Sequence, residues 1–383
     1  MKIEFTVGAT EFAERYQEKR PILLKKAVSP NMFSWRDVNA IYERSDVASD
    51  DFKLAFDGVR PKEEYVERYW DIGTLRCRLI KPVVYEYLRK GATLIVNKIA
   101  SEPKVESLAR CVSEYTGRQV VSSAYVAFGT RDSFRSHWDT RDVFAIQLIG
   151  RKRWVVHEPS FESPLYMQQS KDYEHLHPRP ETPYMDVILE PGDVMYLPRG
   201  WWHNPSPIGE ATFHLALGTF PAYAMDYLGW SMKHMHEHLA TRCSLQDWQS
   251  DQATISQMTH HLSAFLNNKQ TYDQFMDDFV GATRMRSSLA LEVFGDSAVN
   301  SVTEDARIRL SSSLHRLNER HVIVNGVRLN LDEPGAQLLS HIARCPGISL
   351  SKLANCHVGW TVEHLRHLVF DMCCQDVLEW VRT

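Results

Sequence analysis

Between Gly91 and Phe220 the chain breaks into short apolar runs: ATLIVNKIA, VVSSAYVAF, DVFAIQLIG, RWVVH, DVILEPGDVMYLP and TFHLALGTF, with Gly and Pro between them. Many short strands separated by turn residues predict an all-β sandwich or barrel. The flanks read differently. Up to about Lys90, short helices and strands mix: Phe12 to Tyr16 reads helical, and Pro21 to Leu24 reads as a buried strand. From Tyr223 to about Ala306 there is no proline, and Tyr227, Met232, Met235 and Leu239 follow helical spacing, which predicts a helical segment. The last stretch opens on a short strand, VIVNGVRLN. It continues as helices through Ala336 to Ser340, GISLSKLANC and TVEHLRHLVFDMCCQ, then the apolar DVLEWV, a winged-helix-like layout. Four domains are expected: 1–90, 91–221, 222–310 and 320–383.

At 383 residues, two or three domains fit better than one. Hydrophobic residues at 44% and charged residues at 24% exclude a disordered or fibrous chain. A net charge of 44 − 48 = −4 gives no global reason to seek polyanions. The opening MKIEFTVGATEFAERYQEKR lacks the apolar stretch of a signal peptide. No run of about 18 apolar residues suggests a membrane span. Seven Cys without a CxxC pair fit reduced thiols, so the expected location is cytoplasmic.

The sharpest chemical signal is Ser136-His137-Trp138-Asp139. On a strand, His137 and Asp139 would point to one face and could grip one metal ion. Alone, an HxD triplet is weak. A third ligand is offered downstream, where the turn Glu190 to Asp193 and the apolar Val194 to Pro198 lead through a second turn to His203. Two His and one carboxylate make a facial triad that leaves three positions of an octahedral Fe(II) open. The plain alternative is a surface HxD and a satisfied core His beside Trp202. In DVFAIQLIGRKRW, an unbroken strand would put Lys152 on the face of Phe144, Ile146 and Leu148, with Arg151 and Arg153 on the other. An inward ammonium is costly unless it meets an anion such as a dicarboxylate. The bland alternative is a lysine that snorkels out at the strand end.

HWDTRDVFAIQLIGRKRWVV followed by PGDVMYLPRGWWHNP resembles the JmjC branch of the cupin superfamily, the Fe(II)- and 2-oxoglutarate-dependent oxygenases. Within it the chain looks most like the ribosomal oxygenases, which hydroxylate side chains of ribosomal proteins. The resemblance is strong from about Gly91 to Phe220 and looser beyond. It implies a double-stranded β-helix (jelly-roll or cupin) core with flanking helices, then a helical dimerisation region and a small winged-helix module. By that resemblance His137, Asp139 and His203 are the metal ligands, and Lys152 pairs with the distal carboxylate of 2-oxoglutarate. Tyr125 adds a hydroxyl contact, Ser123 is a polar neighbour, and His214 stands behind the ligands. Ala216 departs from the pattern, since several relatives carry a hydroxyl there. The implied reaction consumes 2-oxoglutarate and O₂, releases succinate and CO₂, and places one oxygen on a C–H bond; the cofactor supplies reactivity and the protein orientation.

Other features carry less. The segment from Pro159 to Pro183, with five prolines, His175 and His177, reads as a lid over the substrate mouth or a plain insertion. His234 and His238 have a spacing that can bind Zn²⁺ on a helix, but without a third ligand a solvated face is expected. Cys345, Cys356, His357, Cys373 and Cys374 match no zinc module, so buried free thiols are expected. From His321 to Thr383, five basic residues face six acidic ones, so DNA binding is not expected and a protein contact is. Three functions follow: a protein hydroxylase acting on a ribosomal protein, as a homodimer; a hydroxylase of a free amino acid, peptide natural product or tRNA base; and a metal-binding cupin without catalysis, serving as sensor or scaffold.

Overall fold

A computed structural model describes residues 2–132, 134–287, 289, 291, 303, 305–356 and 360–381. They form two compact units, 1–220 and 221–383. The first holds twelve strands: β1 (Ile22–Leu24), β2 (Phe52–Ala55), β3 (Val66–Asp71), β4 (Thr74–Leu79), β5 (Thr93–Val96), β6 (Gln119–Ala127), β7 (Asp142–Ile149), β8 (Lys152–His157), β9 (Met185–Leu189), β10 (Val194–Leu197), β11 (Trp202–Pro207) and β12 (Thr212–Phe220). A seven-stranded antiparallel sheet runs β1-β10-β7-β12-β6-β5-β2, and a three-stranded sheet runs β11-β8-β9. Ala145, Met195 and Leu197 of the large sheet meet Trp154, Val156, Leu189 and Trp201 on the small-sheet side in one apolar cluster. The jelly roll is therefore closed by side chains from both sheets.

The outer face of the large sheet is also covered. Phe144, Ile146 and Leu148 of β7 pack with Phe12 of α1 (Ala9–Arg15), Val38 and Ile41 of α2 (Trp35–Arg44), Val84 of α3 (Lys81–Arg89), and Leu108 and Val112 of α4 (Pro103–Thr116). Covering both faces explains why β7 reads as an unbroken apolar run instead of alternating. Helix α4 lies inside the stretch expected to be purely β, opening on Pro103 and stopping at Gly117. The exposed hairpin of β3 and β4 and the short strand β2 also escaped the sequence pattern, whereas β1 falls within Pro21 to Leu24, the stretch that reads as a buried strand.

One expected strand does not persist. β7 stops at Ile149, and the chain turns through Gly150 and Arg151 into β8, which belongs to the other sheet. Gly150 has φ +63°, and a Cβ there would lie 2.2 Å from the Ala211 carbonyl oxygen, so only glycine fits this corner. Lys152 consequently shares the inner face with Trp154 and Val156, and not the outer face of Phe144, Ile146 and Leu148. Arg151 and Arg153 do point outward, paired with Glu210 and Asp186.

The second unit begins with α6 (Ala224–His234), α7 (Gln252–Leu266) and α8 (Lys269–Ala282), following the four-residue α5 (Ser170–Tyr173) of the first unit. Beyond Ala282 the described residues leave the helical pattern, earlier than the expected limit near 306. The run VIVNGVRLN is a hairpin, not one strand: His321–Val324 and Val327–Asn330 pair around Asn325-Gly326, a dipeptide suited to the φ > 0 of a tight turn. Helices α9 (Glu333–Arg344), α10 (Leu350–Cys356) and α11 (Val362–Cys374) follow. A three-stranded sheet ends the unit, in which Leu378–Val381 pairs with Arg307–Leu310.

Candidate active site

The cavity of about 390 Å³ in the jelly roll is lined by Ser123, Tyr125, His137, Asp139, Lys152, His203 and His214, which brings every sequence-predicted site residue to one place. The volume falls in the range of small-ligand sites. His137 and Asp139 reach it from the loop before β7, not from a strand. Only His137 is strand-like, through one antiparallel bridge to His203. Trp138 between them turns away and is buried. Its ring packs edge-on against Trp202 at 4.7 Å, and its Nε1 donates to the Gln168 carbonyl.

His203 Nε2 stands 3.7 Å from Asp139 Oδ2, and the rings of His137 and His203 are 4.4 Å apart. Each imidazole places Nδ1 3.0 Å from the carbonyl two residues back, Arg135 for His137 and Trp201 for His203. A carbonyl can only accept, so Nδ1 carries the proton and each Nε2 offers its lone pair to the cavity. Burial, and then the neighbouring His137, push His203 down to about 4, so it stays neutral. Burial pushes the Asp139 carboxyl up, but Arg141 and the two imidazoles outweigh it and leave it below its ordinary range. Among the described residues, no group of three or more His, Cys, Asp or Glu side chains stands at metal-holding distances. Donors about 2.1 Å from one ion lie about 3 Å apart when adjacent, against the 3.7 Å between His203 Nε2 and Asp139 Oδ2. The donor set, its tautomers and its charge fit a divalent ion.

Lys152 is 3% exposed, and its ammonium makes no ion pair or hydrogen bond among the described residues. Burial lowers its pKa to about 8, with Asp132 partly opposing. Burial, and then Asp139, raise Tyr125 to about 12. His214 sits well below its ordinary range through burial and the nearby Lys152 and His203. Two further polar atoms find no partner among the described residues: His214 Nδ1 and the Trp154 Nε1 donor. A buried cation and unsatisfied polar atoms around an open cavity are what an anionic ligand would complete. Ala216 pairs with Ser123 across β12 and β6, so the hydroxyl missing at 216 faces the one present at 123.

The structure adds residues that the sequence pattern did not single out. Asp51, Lys53, Val59, Asn97 and Lys98 line the cavity from β2, β5 and their loops, and Arg141 and Trp154 line it from within the recognised segment. None of the lining residues comes from 159–183. That segment buttresses the ligand loops from behind, through Trp138 to Gln168, Trp202 Nε1 to Ser160 Oγ, and Arg179 to His157. Here His177 packs on Phe161 and His175 is exposed. In the second unit, His234 lies against Trp230 while His238 stacks on His261, so the two do not form a pair. Cys345, Cys356 and Cys374 are exposed and Cys373 half-buried, against the expectation of buried thiols; His357 lies outside the described residues.

Two facing sheets around a cavity ringed by two imidazoles and a carboxylate give the first unit a cupin-like jelly-roll fold. Within that class, residues 94–227 match the family described as the JmjC domain, and this segment is a JmjC domain. The chain is 25% identical over 218 residues to ribosomal oxygenase 1 of Gallus gallus, covering 55% of this chain and 34% of that protein. It is 37% identical over 117 residues to ribosomal oxygenase 2 of Rattus norvegicus, covering 30% and 24%. It thus spans about a third or less of these curated relatives. YcfD, a ribosomal oxygenase from Escherichia coli solved in complex with cobalt and 2-oxoglutarate, matches over all of both chains with a TM-score of 0.59 at 16% identity, a likeness of fold. No helix among the described residues is long and apolar enough to cross a membrane.

Proposed function

We propose that this protein is an Fe(II)- and 2-oxoglutarate-dependent oxygenase that hydroxylates a protein side chain, with a ribosomal protein as its target. The observation that carries the reading is a buried, unpartnered Lys152 in the same cavity as His137, Asp139 and His203. Iron held here with 2-oxoglutarate would activate O₂, one oxygen atom entering a substrate C–H bond and the other the succinate that leaves with CO₂. The protein's part is placement. His137, Asp139 and His203 hold the ion on one side. Lys152 and the Tyr125 hydroxyl grip the far carboxylate, with Ser123 and His214 shaping the wall beside it. Asp51, Lys53, Asn97 and Lys98 lie where an entering side chain passes. The ribosomal target is supported by the names of the relatives, and a cytoplasmic location follows from such a target.

The helical part of the second unit is proposed as a homodimer surface. Helix α7 buries no residue, and Met232, Leu239, Leu245 and Trp248 are exposed, an apolar surface suited to a second copy. The C-terminal helices are proposed as a winged-helix-like protein-contact module and not a DNA reader.

Two measurements test the reading. Purified protein with Fe(II) and ribosomal extract should convert 2-oxoglutarate to succinate, and Asp139→Ala should fall to background with unchanged circular dichroism. Mass spectrometry of ribosomal proteins from cells with and without the gene should show one gaining the mass of an oxygen atom. A modified small molecule or tRNA base instead would redirect the substrate assignment.

A further inference from the structure

We infer that Asp142, which ligates nothing, is a positioning residue that sets the distance of His203 from His137 and Asp139; the inference rests on the metal reading above. Two stretches of chain, 137–142 and 199–203, carry the three ligands, and four hydrogen bonds are among those that join them. Three are made by main-chain atoms: His137 N–H to the His203 carbonyl at 3.1 Å, His203 N–H to the His137 carbonyl at 2.8 Å, and Gly200 N–H to the Asp139 carbonyl at 2.9 Å. The fourth runs from Arg199 N–H to Asp142 Oδ1 at 3.0 Å. Asp142 is thus the one side chain among these four stitches. It grips the turn that precedes His203, three residues after Asp139.

The carboxylate is 2% exposed, and a buried charge persists only when satisfied. Its other oxygen accepts from the Tyr196 hydroxyl at 2.7 Å and from Arg118 Nη1 at 2.9 Å. Arg118 Nη2 reaches Glu18 at 3.0 Å, and the Glu18 N–H donates to the Tyr196 oxygen at 2.8 Å. The contacts close a ring through Asp142, Arg118, Glu18 and Tyr196, which fixes Oδ2 from three separate parts of the fold. Oδ1 is left to do one thing, to hold Arg199. The ring serves stability; the Arg199 bond serves the ligand loop. Gly200 tightens the same turn, because it has φ +84° and a Cβ there would lie 2.7 Å from the Phe161 carbonyl oxygen.

These two roles separate by substitution. Asp142→Asn keeps an oxygen for Arg199 N–H but faces Arg118 with a donor, so it loses stability and keeps the loop bond. Asp142→Ala loses both. The double variant Asp142→Leu with Arg118→Met removes the buried charges together, which preserves the fold but offers Arg199 no acceptor. The readout is Co(II) affinity in the absence of turnover, by titration of cobalt absorption, beside the melting temperature. Asp142→Ala and the double variant should bind Co(II) about 10- to 100-fold more weakly than the unaltered protein, while Asp142→Asn stays close to it despite a lower melting temperature. Unchanged Co(II) affinity in the folded double variant overturns the inference. So does an equal loss in the Asn and Ala variants, which would make affinity follow stability alone. If the unaltered protein fails to bind Co(II), the metal reading itself falls and takes this inference with it.

Discussion

The imidazole of His214 lies almost parallel to the phenol ring of Tyr125, with centroids 4.8 Å apart and planes 10° from each other. The two residues face each other across β12 and β6, so the stack is set by strand register. Tyr125→Phe keeps this packing and deletes only the hydroxyl. Its expected effect is a rise of about tenfold in the 2-oxoglutarate KM with little change in kcat, the loss of one hydrogen bond to a charged group. An unchanged KM would place the distal carboxylate elsewhere.

Lys152 costs the empty fold stability. Its pKa of about 8, against an ordinary 10.5, means the unfolded chain holds the proton more tightly, so stability rises with pH from about 8 to 10.5. Lys152→Met should therefore be more stable than the parent at pH 7, by on the order of 3 kcal/mol, with the difference fading at higher pH. In the parent loaded with Co(II), adding 2-oxoglutarate should raise the melting temperature further; in the Co(II)-loaded variant that further rise should vanish. Denaturant melts at pH 7 and pH 10 check the sign, and a less stable variant at pH 7 would contradict it.

Arg179 Nη1 lies 2.6 Å from His157 Nε2, while His157 Nδ1 lies 3.1 Å from the Thr182 carbonyl. The imidazole must be neutral to accept from a guanidinium, and burial, followed by Arg179, depresses its pKa. A depressed histidine contributes least destabilisation above the ordinary value of about 6.5 and loses stability as pH falls below it. The buttressing segment from 159 to 183 should then become easier to cleave in acid. Limited proteolysis by an enzyme active at both ends of that range, with cuts mapped by mass, gives the comparison; equal cleavage would reject the latch.

Light scattering should report a mass of two chains. Leu239→Asp with Trp248→Asp places charge on the exposed apolar surface of the helical part and should halve that mass. A monomeric parent protein would dismiss the surface as a dimer contact.

Much of the site was legible because its residues lie within short, distinctive strings. His137, Asp139, Lys152 and His203 were each visible as types whose chemistry requires company, and the fold brings them to one cavity. The route to Lys152 was misread. Period-two alternation was extended through Gly150, where the chain leaves one sheet for the other. The inward placement came out right because two residues of turn and the change of sheet together moved the lysine from the outer layer into the barrel. Asp51, Lys53, Asn97 and Lys98 were illegible for a different reason. They sit on four-residue strands and their loops, whose partners are distant in sequence, and nothing local marks them as cavity residues. Trp154 packs in the apolar cluster on one side, and its unpaired Nε1 shows only once the neighbours are in place.

Because most of the seam between the two ligand-bearing stretches is sewn with peptide groups, residue identity along it is largely free to vary without shifting the ion. The loops at 51–59 and 97–98 can thus be rewritten to admit a different guest while the reactive centre keeps its shape. A single aspartate, out of reach of any guest, is the one side chain among those stitches where a change of sequence would be felt at the metal.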